Sequence, residues 1–402
     1  LHPTIPAQSP EHTRRSRLPS LTGLRFFAAL AVVLFHMTQS HSPLDPASPM
    51  NPFADQGLAH ATEKLFSRAG YLGVSFFFVL SGFVLTWVAR PGERLRDFYR
   101  RRLLKILPNH LVTWALAMVL FAGATVGPAA WGANLALVNS WFPRLDINIG
   151  ANPPSWSLCS ELLFYLLFPF ALRPVLRIAE RRLWMWAWLM VAGTVVVALA
   201  GAYLITDTPR PALLPVSPTQ FWFGYFFPPL RMLEFVLGML LARIVATGRW
   251  PRIGIVPAAL LVTAAYAASM VLPFQFGFVA AAVLPVGALI SAVATADVQG
   301  TRTLMRGRVM RWLGEVSFGF YLCQGIVLFY GRTLLDEDQW GFGPVGGVLA
   351  LLGGCLLSLC AGWLLMAGVE RPAMRRWSVA RAARRSITVR RSVPAGRQRV
   401  DA

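Results

Sequence analysis

Residues 21–40 read LTGLRFFAALAVVLFHMTQS, a run apolar and long enough for a membrane helix that still carries Arg25 and His36. About 20 apolar residues span roughly 30 Å of hydrocarbon, and a charge there is costly and ordinarily faces the interior of a helix bundle. The spacing between the two is about three helical turns, so both side chains point to nearly the same face, about 16 Å apart along the axis. Each has a bland explanation. Arg25 can snorkel to the nearer interface, and His36 can satisfy a buried hydrogen bond.

The rest of the chain is of the same kind. Of 402 residues, 55% are hydrophobic and only 14% are charged, and the mean hydropathy is +0.53. A soluble protein of this length needs more charge to cover its surface, so the expectation is an all-α polytopic membrane protein. The apolar runs predict ten spans, at about 21–40, 70–89, 104–127, 155–172, 184–206, 225–246, 253–272, 276–296, 312–334 and 345–367. The third, seventh and eighth are expected to be broken by Gly or Pro, which membrane helices tolerate when neighbours satisfy the freed backbone.

The net charge of +20 raises the question of nucleic acid, but the basic residues sit in short loops between apolar runs. With the amino terminus inside, 32 basic residues fall on the inner side and 5 on the outer, which places both termini in the cytoplasm. The acidic run LDEDQ (335–339) then falls outside. Three segments follow: a cytoplasmic tail over 1–18, a membrane domain over 19–370, and an Arg-rich cytoplasmic tail over 371–402, expected to be disordered against anionic headgroups. The longest outer loops, 41–69 and 128–154, are too short for a folded domain. Residues 1–20 are polar and do not resemble a cleavable signal peptide. Only Lys64 and Lys105 among the 38 basic residues are lysine, which suggests a GC-rich bacterium and its cytoplasmic membrane. Cys159, Cys323, Cys355 and Cys360 lie in apolar segments without metal spacing, so no metal is expected.

Further ionisable groups fall within the spans. Span four enters through NPPSWSLCSELLFY (152–165), where Ser157 and Glu161 are four apart and share a face. Helix rise puts Glu161 close to the depth of His36, and a carboxylate beside an imidazole orients it and supports its cation. The alternative is an Arg–Glu strut between helices. In RMLEFVLG (231–238), Arg231 and Glu234 are three apart and suit a local ion pair. Glu315 lies too near the inner end to meet His36, and His110 falls near the inner end of span three. The inner segment RPGERLRDFYRRRLLKILP (90–108) concentrates Arg90, Arg94, Arg96, Arg100, Arg101, Arg102 and Lys105. Lipid contact explains part of this, and forked guanidinium donors also suit phosphates, with Phe98 and Tyr99 available to stack on a purine.

With these motifs in place, residues 19–370 resemble the acyltransferase 3 family of integral-membrane O-acyltransferases. LTGLRFFAALAVVLFH is similar to the family's Arg, ten residues, His pattern, and GVSFFFVLSGFVL to its Ser-Gly-Phe element at Ser81, Gly82 and Phe83. FYRRRLLKILP resembles its basic loop, WSLCSE its Trp156, Ser157 and Glu161 element, and SFGFYLCQ its late Tyr-Leu element at Tyr321. Two positions depart from the pattern. Lys105 replaces an arginine, keeping charge without bidentate geometry, and Gln324 stands where a histidine often occurs, which leaves His36 as the base. The segment VSFFFVLSGFVLTW, with no appended domain in view, looks most like the enzymes that acylate macrolide and ansamycin antibiotics.

The resemblance implies acyl-CoA as co-substrate, a small hydroxyl-bearing acceptor, and no tightly bound cofactor. The donor's anionic end would dock on Arg25, Arg100, Arg101, Arg102 and Lys105, and its pantetheine arm would carry the thioester to His36. There Glu161 would support the imidazolium. Ser81, Trp156, Ser157, Arg231, Glu234, Tyr321 and Gln324 remain candidates for substrate contact or oxyanion stabilisation. Two other readings stay open: O-acetylation of a cell-surface glycan, and a lipid-linked sugar transporter or flippase, which intramembrane charges and broken helices also suit.

Overall fold

The opening stretch forms α1, Pro19–Met37, in a computed structural model that describes residues 18–44, 48–90, 92–211, 214–335 and 340–377. The expectations for 1–17, 336–339 and 378–402 lie outside the described residues. Proline occupies the first helical position of α1, where its missing N–H costs nothing. The start of α1 is clamped by Asp297, whose carboxylate accepts from the Ser20 backbone N–H (2.8 Å) and Ser20 Oγ (2.7 Å).

The chain continues through α2 (Gln56–Phe66), α3 (Ala69–Trp87), α4 (Leu95–Leu120), α5 (Pro128–Leu135), α6 (Leu145–Asn148), α7 (Trp156–Arg177) and α8 (Leu183–Tyr203). Then follow α9 (Pro218–Phe221), α10 (Pro228–Ala246), α11 (Ile255–Ser269), α12 (Ala280–Val298), α13 (Arg308–Gln324), α14 (Pro344–Leu365) and α15 (Arg371–Trp377). A helix stands at each of the ten expected spans. By length and composition, eight helical segments among the described residues are long and apolar enough to cross a membrane. Of the other two, α10 carries Arg231, Glu234 and Arg243, and α11 has only 15 residues.

Helix α3 is apolar on all sides and lies at the centre, packed by α1, α10 and α12. Its closest approach is to α10. A Cβ on Gly82 would collide with the carbonyl oxygen of Phe235, and one on Gly238 with that of Val79, so two glycines let the backbones touch. Helix α14 lies at the periphery, with Leu349, Leu352, Leu356 and Leu364 turned outward as a lipid-facing stripe.

Two features differ from the sequence expectation. The basic segment is helical from Leu95, because LRDFYRRRLLKIL is rich in good helix formers and buries Phe98. Helix α4 runs through Pro108, and the break in the third span falls after Leu120, where a separate 3-10 turn at Ala122–Ala124 contains Gly123. The two longest loops carry helices of their own: Asp55 caps α2 by accepting from the Leu58 N–H (2.8 Å), and α5 and α6 are held by a buried amide network. In that network Asn139 and Asn148 each donate to the other's carbonyl (2.6 and 2.8 Å), and Asn134 donates to Gly150 O and Ser155 Oγ.

Candidate active site

Helices α1, α3, α4, α7 and α13 converge on a cavity of about 160 Å³. Arg25 reaches it from α1, Arg102 and Lys105 from α4, Glu161 and Tyr165 from α7, and Ser81 from α3. Arg102 and Lys105 are three apart and Glu161 and Tyr165 four apart, so each pair shares a helix face. Tyr165 donates from its hydroxyl to Glu161 Oε1. Arg25, Arg102 and Lys105 all act electrostatically on that carboxylate. The guanidinium of Arg102 lies 5.8 Å from the Tyr165 ring centre and 5.9 Å from that of Phe98. The Nε atoms of Arg25 and Arg102 are buried and have no hydrogen-bond partner among the described residues. Lys105 is engaged from behind by Glu370, which also accepts from Asn109 Nδ2 at 3.1 Å. A second wall is neutral and polar: the Ser157 and Tyr321 hydroxyls are 2.9 Å apart, and both donate to Pro154 O. Three cations against two carboxylates, Glu161 and Glu370, leave a positive balance in a low-dielectric space, which makes the cavity attractive to an anion.

His36 lies elsewhere. It shares α1 with Arg25, as expected, but does not line the cavity. Its imidazole is held between the Phe35 and Phe329 rings, each 5.1 Å away, and Nδ1 lies 3.3 Å from Gln324 Oε1. The expected His36–Glu161 pair is therefore not formed. Equal depth in two helices does not make contact, and the α7 face that carries Glu161 turns to the α4 cations instead. Among the described residues, the cavity that Arg25 lines stops short of His36. Phe77 lines the cavity, packs 6.0 Å from the Tyr321 ring, and also packs on the apolar cluster that contains Phe329.

The remaining candidates divide. Of the basic segment, Arg100 and Arg101 do not line the cavity, and Arg101 is paired with Glu93. Trp156 is a core residue, its ring 4.7 Å from both Tyr225 and Phe226. Arg231 and Glu234 form a buried pair on α10 (Nε to Oε2, 2.9 Å), with the guanidinium over Phe78 at 4.9 Å and Tyr225 at 5.1 Å. Arg231 borders only a second cavity of about 10 Å³, no more than the space of one water. His110 is buried in α4 with Nε2 3.3 Å from Leu135 O, tying α5 down, and Glu315 pairs with Arg371 at 3.0 Å. Tyr165, Asn109, Glu370 and Phe77 were not among the sequence candidates. Tyr165 had a readable signal in its spacing of four from Glu161. Glu370 had none, because its partner is 265 residues away.

Known proteins are similar to this chain over most of its length. A family model described as an acyltransferase domain matches residues 18–367. The acyltransferase MdmB of Streptomyces mycarofaciens is 42% identical over 374 residues, which cover 89% of this chain and 92% of that protein. The peptidoglycan O-acetyltransferase OatA of Listeria monocytogenes is 26% identical over 178 residues, 39% of this chain and 25% of its own length. The O-acetyltransferase OatA of Staphylococcus aureus is 26% identical over 175 residues, 39% of this chain and 24% of its own length. No solved structure matches the chain.

Proposed function

Because the chain belongs to the acyltransferase 3 family of integral-membrane O-acyltransferases, we propose that it moves an acetyl or short acyl group from acyl-CoA to a hydroxyl of a small acceptor, a macrolide or ansamycin antibiotic. The observation that carries the donor half is the charge of the cavity. Arg25 and Arg102 keep buried Nε donors uncommitted there, beside Lys105, which suits a phosphorylated ligand better than a neutral one. The acceptor half rests on the resemblance of residues 74–87 to the macrolide and ansamycin enzymes.

In this reading His36 takes the proton of the acceptor hydroxyl, and the oxygen forms a C–O bond at the thioester carbonyl. The tetrahedral intermediate collapses, the C–S bond breaks, and the CoA thiolate leaves with the proton returned by the imidazolium. The products are an ester and free CoA. The Ser157 and Tyr321 hydroxyls line the cavity and are the candidates for the oxyanion; each has one proton, which must leave Pro154 O to turn to it. Glu161 acts from the cationic cavity, where its charge offsets part of that of Arg25, Arg102 and Lys105, and the thioester reaches His36 past the Phe77 ring.

A second reading, O-acetylation of a cell-surface glycan, is favoured by the likeness to the OatA proteins over 39% of the chain. Purified protein given acetyl-CoA labelled in the acetyl group, with a hydroxylated macrolide or with muropeptides, separates the two. Labelled macrolide ester and stoichiometric free CoA are expected. Label in muropeptides alone would move the acceptor to glycan, and release of no CoA with either acceptor would overturn the donor.

A further inference from the structure

Gln324 is the last residue of α13 and is fully buried, with Oε1 turned to His36 Nδ1 at 3.3 Å. An amide oxygen only accepts, so Nδ1 carries the proton and the imidazole lone pair is at Nε2. We propose that Gln324 is a positioning residue for acyl transfer: it selects the His36 tautomer whose Nε2 takes the proton of the acceptor hydroxyl. The proposal rests on the reading of His36 as general base and deepens it.

The surroundings argue for this role over a merely structural one. Gln324 Nε2 is buried and has no hydrogen-bond partner among the described residues, where His36 is the one side chain that this amide serves. A glutamine that only tied helices together would spend its donor as well as its acceptor on the scaffold. Its position is locked on both sides. Asn152 donates to Leu322 O at 3.2 Å, and a Cβ on Gly325 would strike Asn152 Oδ1 and come within 2.6 Å of Pro154 Cδ. The loop at 152–154 is thereby keyed into α13 at the point where it passes into the π-turn Gly325–Tyr330. That turn supplies Phe329, one of the two rings that hold the imidazole. Among the described residues no carboxylate or cation shares a hydrogen bond or ion pair with His36. The elements packed on the imidazole contribute the Phe35 and Phe329 rings and the neutral amide of Gln324.

The test is steady-state kinetics on purified protein with acetyl-CoA and a hydroxylated macrolide. Gln324→Met keeps length and removes the acceptor atom; kcat should fall about tenfold or more with both KM values near wild type. Gln324→Glu restores an acceptor and adds charge that favours the imidazolium. It should exceed the Met variant at alkaline pH and move the acidic limb of the kcat profile to higher pH. Imidazole added to His36→Gly supplies a base free to choose its own tautomer, so its rescue should be indifferent to Gln324→Met. Wild-type kcat in Gln324→Met would overturn the proposal, as would a Glu variant below the Met variant at every pH, or an equal loss in the rescued background. Should the Met variant give little folded protein, the Glu variant decides against wild type: an acidic limb of kcat moved to higher pH supports the proposal, and an unmoved limb overturns it. Full turnover in His36→Gly without imidazole would instead overturn the reading of His36 as base.

Discussion

At the level of single residues, the cavity sorts cations that look equivalent in the chain. Arg101 and Arg102 are adjacent, yet Arg101 is tied to Glu93 while Arg102 faces the cavity with an uncommitted Nε. A lost charge-assisted contact costs about 1.5–3 kcal/mol, so Arg102→Ala should raise the acyl-CoA KM roughly tenfold to a hundredfold. Arg101→Ala should change it much less, and neither should alter the acceptor KM. Donor and acceptor KM measured for both variants in one detergent check this, and equal donor effects would remove the cavity as the docking place. Glu161 gives a second discrimination. Because it accepts from Tyr165 and shares the cavity with the three cations, Glu161→Gln should disturb donor kinetics severalfold while sparing the acceptor KM. A change confined to the acceptor would place Glu161 in the service of His36 after all.

At the level of elements, α3 and α10 hold the bundle's centre through backbone contact. Gly238→Ala inserts a methyl against the Val79 carbonyl, and overpacking of this kind costs about 1–3 kcal/mol. The expected result is a clearly lower Tm in detergent for Gly238→Ala, and an unchanged Tm would mean the helices separate without penalty. The existence and order of the ten long helices were legible, because runs such as 21–40 and 345–367 have no alternative to burial in lipid or protein. The helical basic segment from Leu95 was not, since its arginines read as loop charge as well as helix surface. The extra helices α5 and α6 were missed because their stability comes from buried amides such as Asn139 and Asn148, a tertiary pattern with no local period, whereas α2 carried a local signal in its Asp55 cap. Within the site, the convergence of Arg25 with Arg102 and Lys105 could be anticipated from motif and spacing. The partners of His36 and Glu161 could not, because helix rise fixes depth along an axis but leaves open which neighbouring helix a face meets. That is why Gln324, 288 residues from His36, took the place expected of Glu161.

At the level of the whole molecule, the asymmetry of 32 basic residues against 5 predicts both termini on the cytoplasmic side. A green fluorescent protein fused at the carboxyl end should fluoresce, and alkaline phosphatase at the same point should stay inactive; the reverse pair would invert the topology. With that orientation Arg25 lies nearer the cytoplasmic end of α1 and His36 lies farther along it, toward the opposite face. The account therefore comes down to one reaction that couples the two places. The most direct measurement is transfer of a radiolabelled acetyl group from acetyl-CoA to a hydroxylated macrolide by purified wild-type protein beside His36→Gln, with ester and free CoA counted together. Wild-type protein should form one labelled ester per CoA released, and His36→Gln, folded to the same Tm, should form almost none, because an amide cannot take the proton. Equal ester formation by His36→Gln would contradict the account.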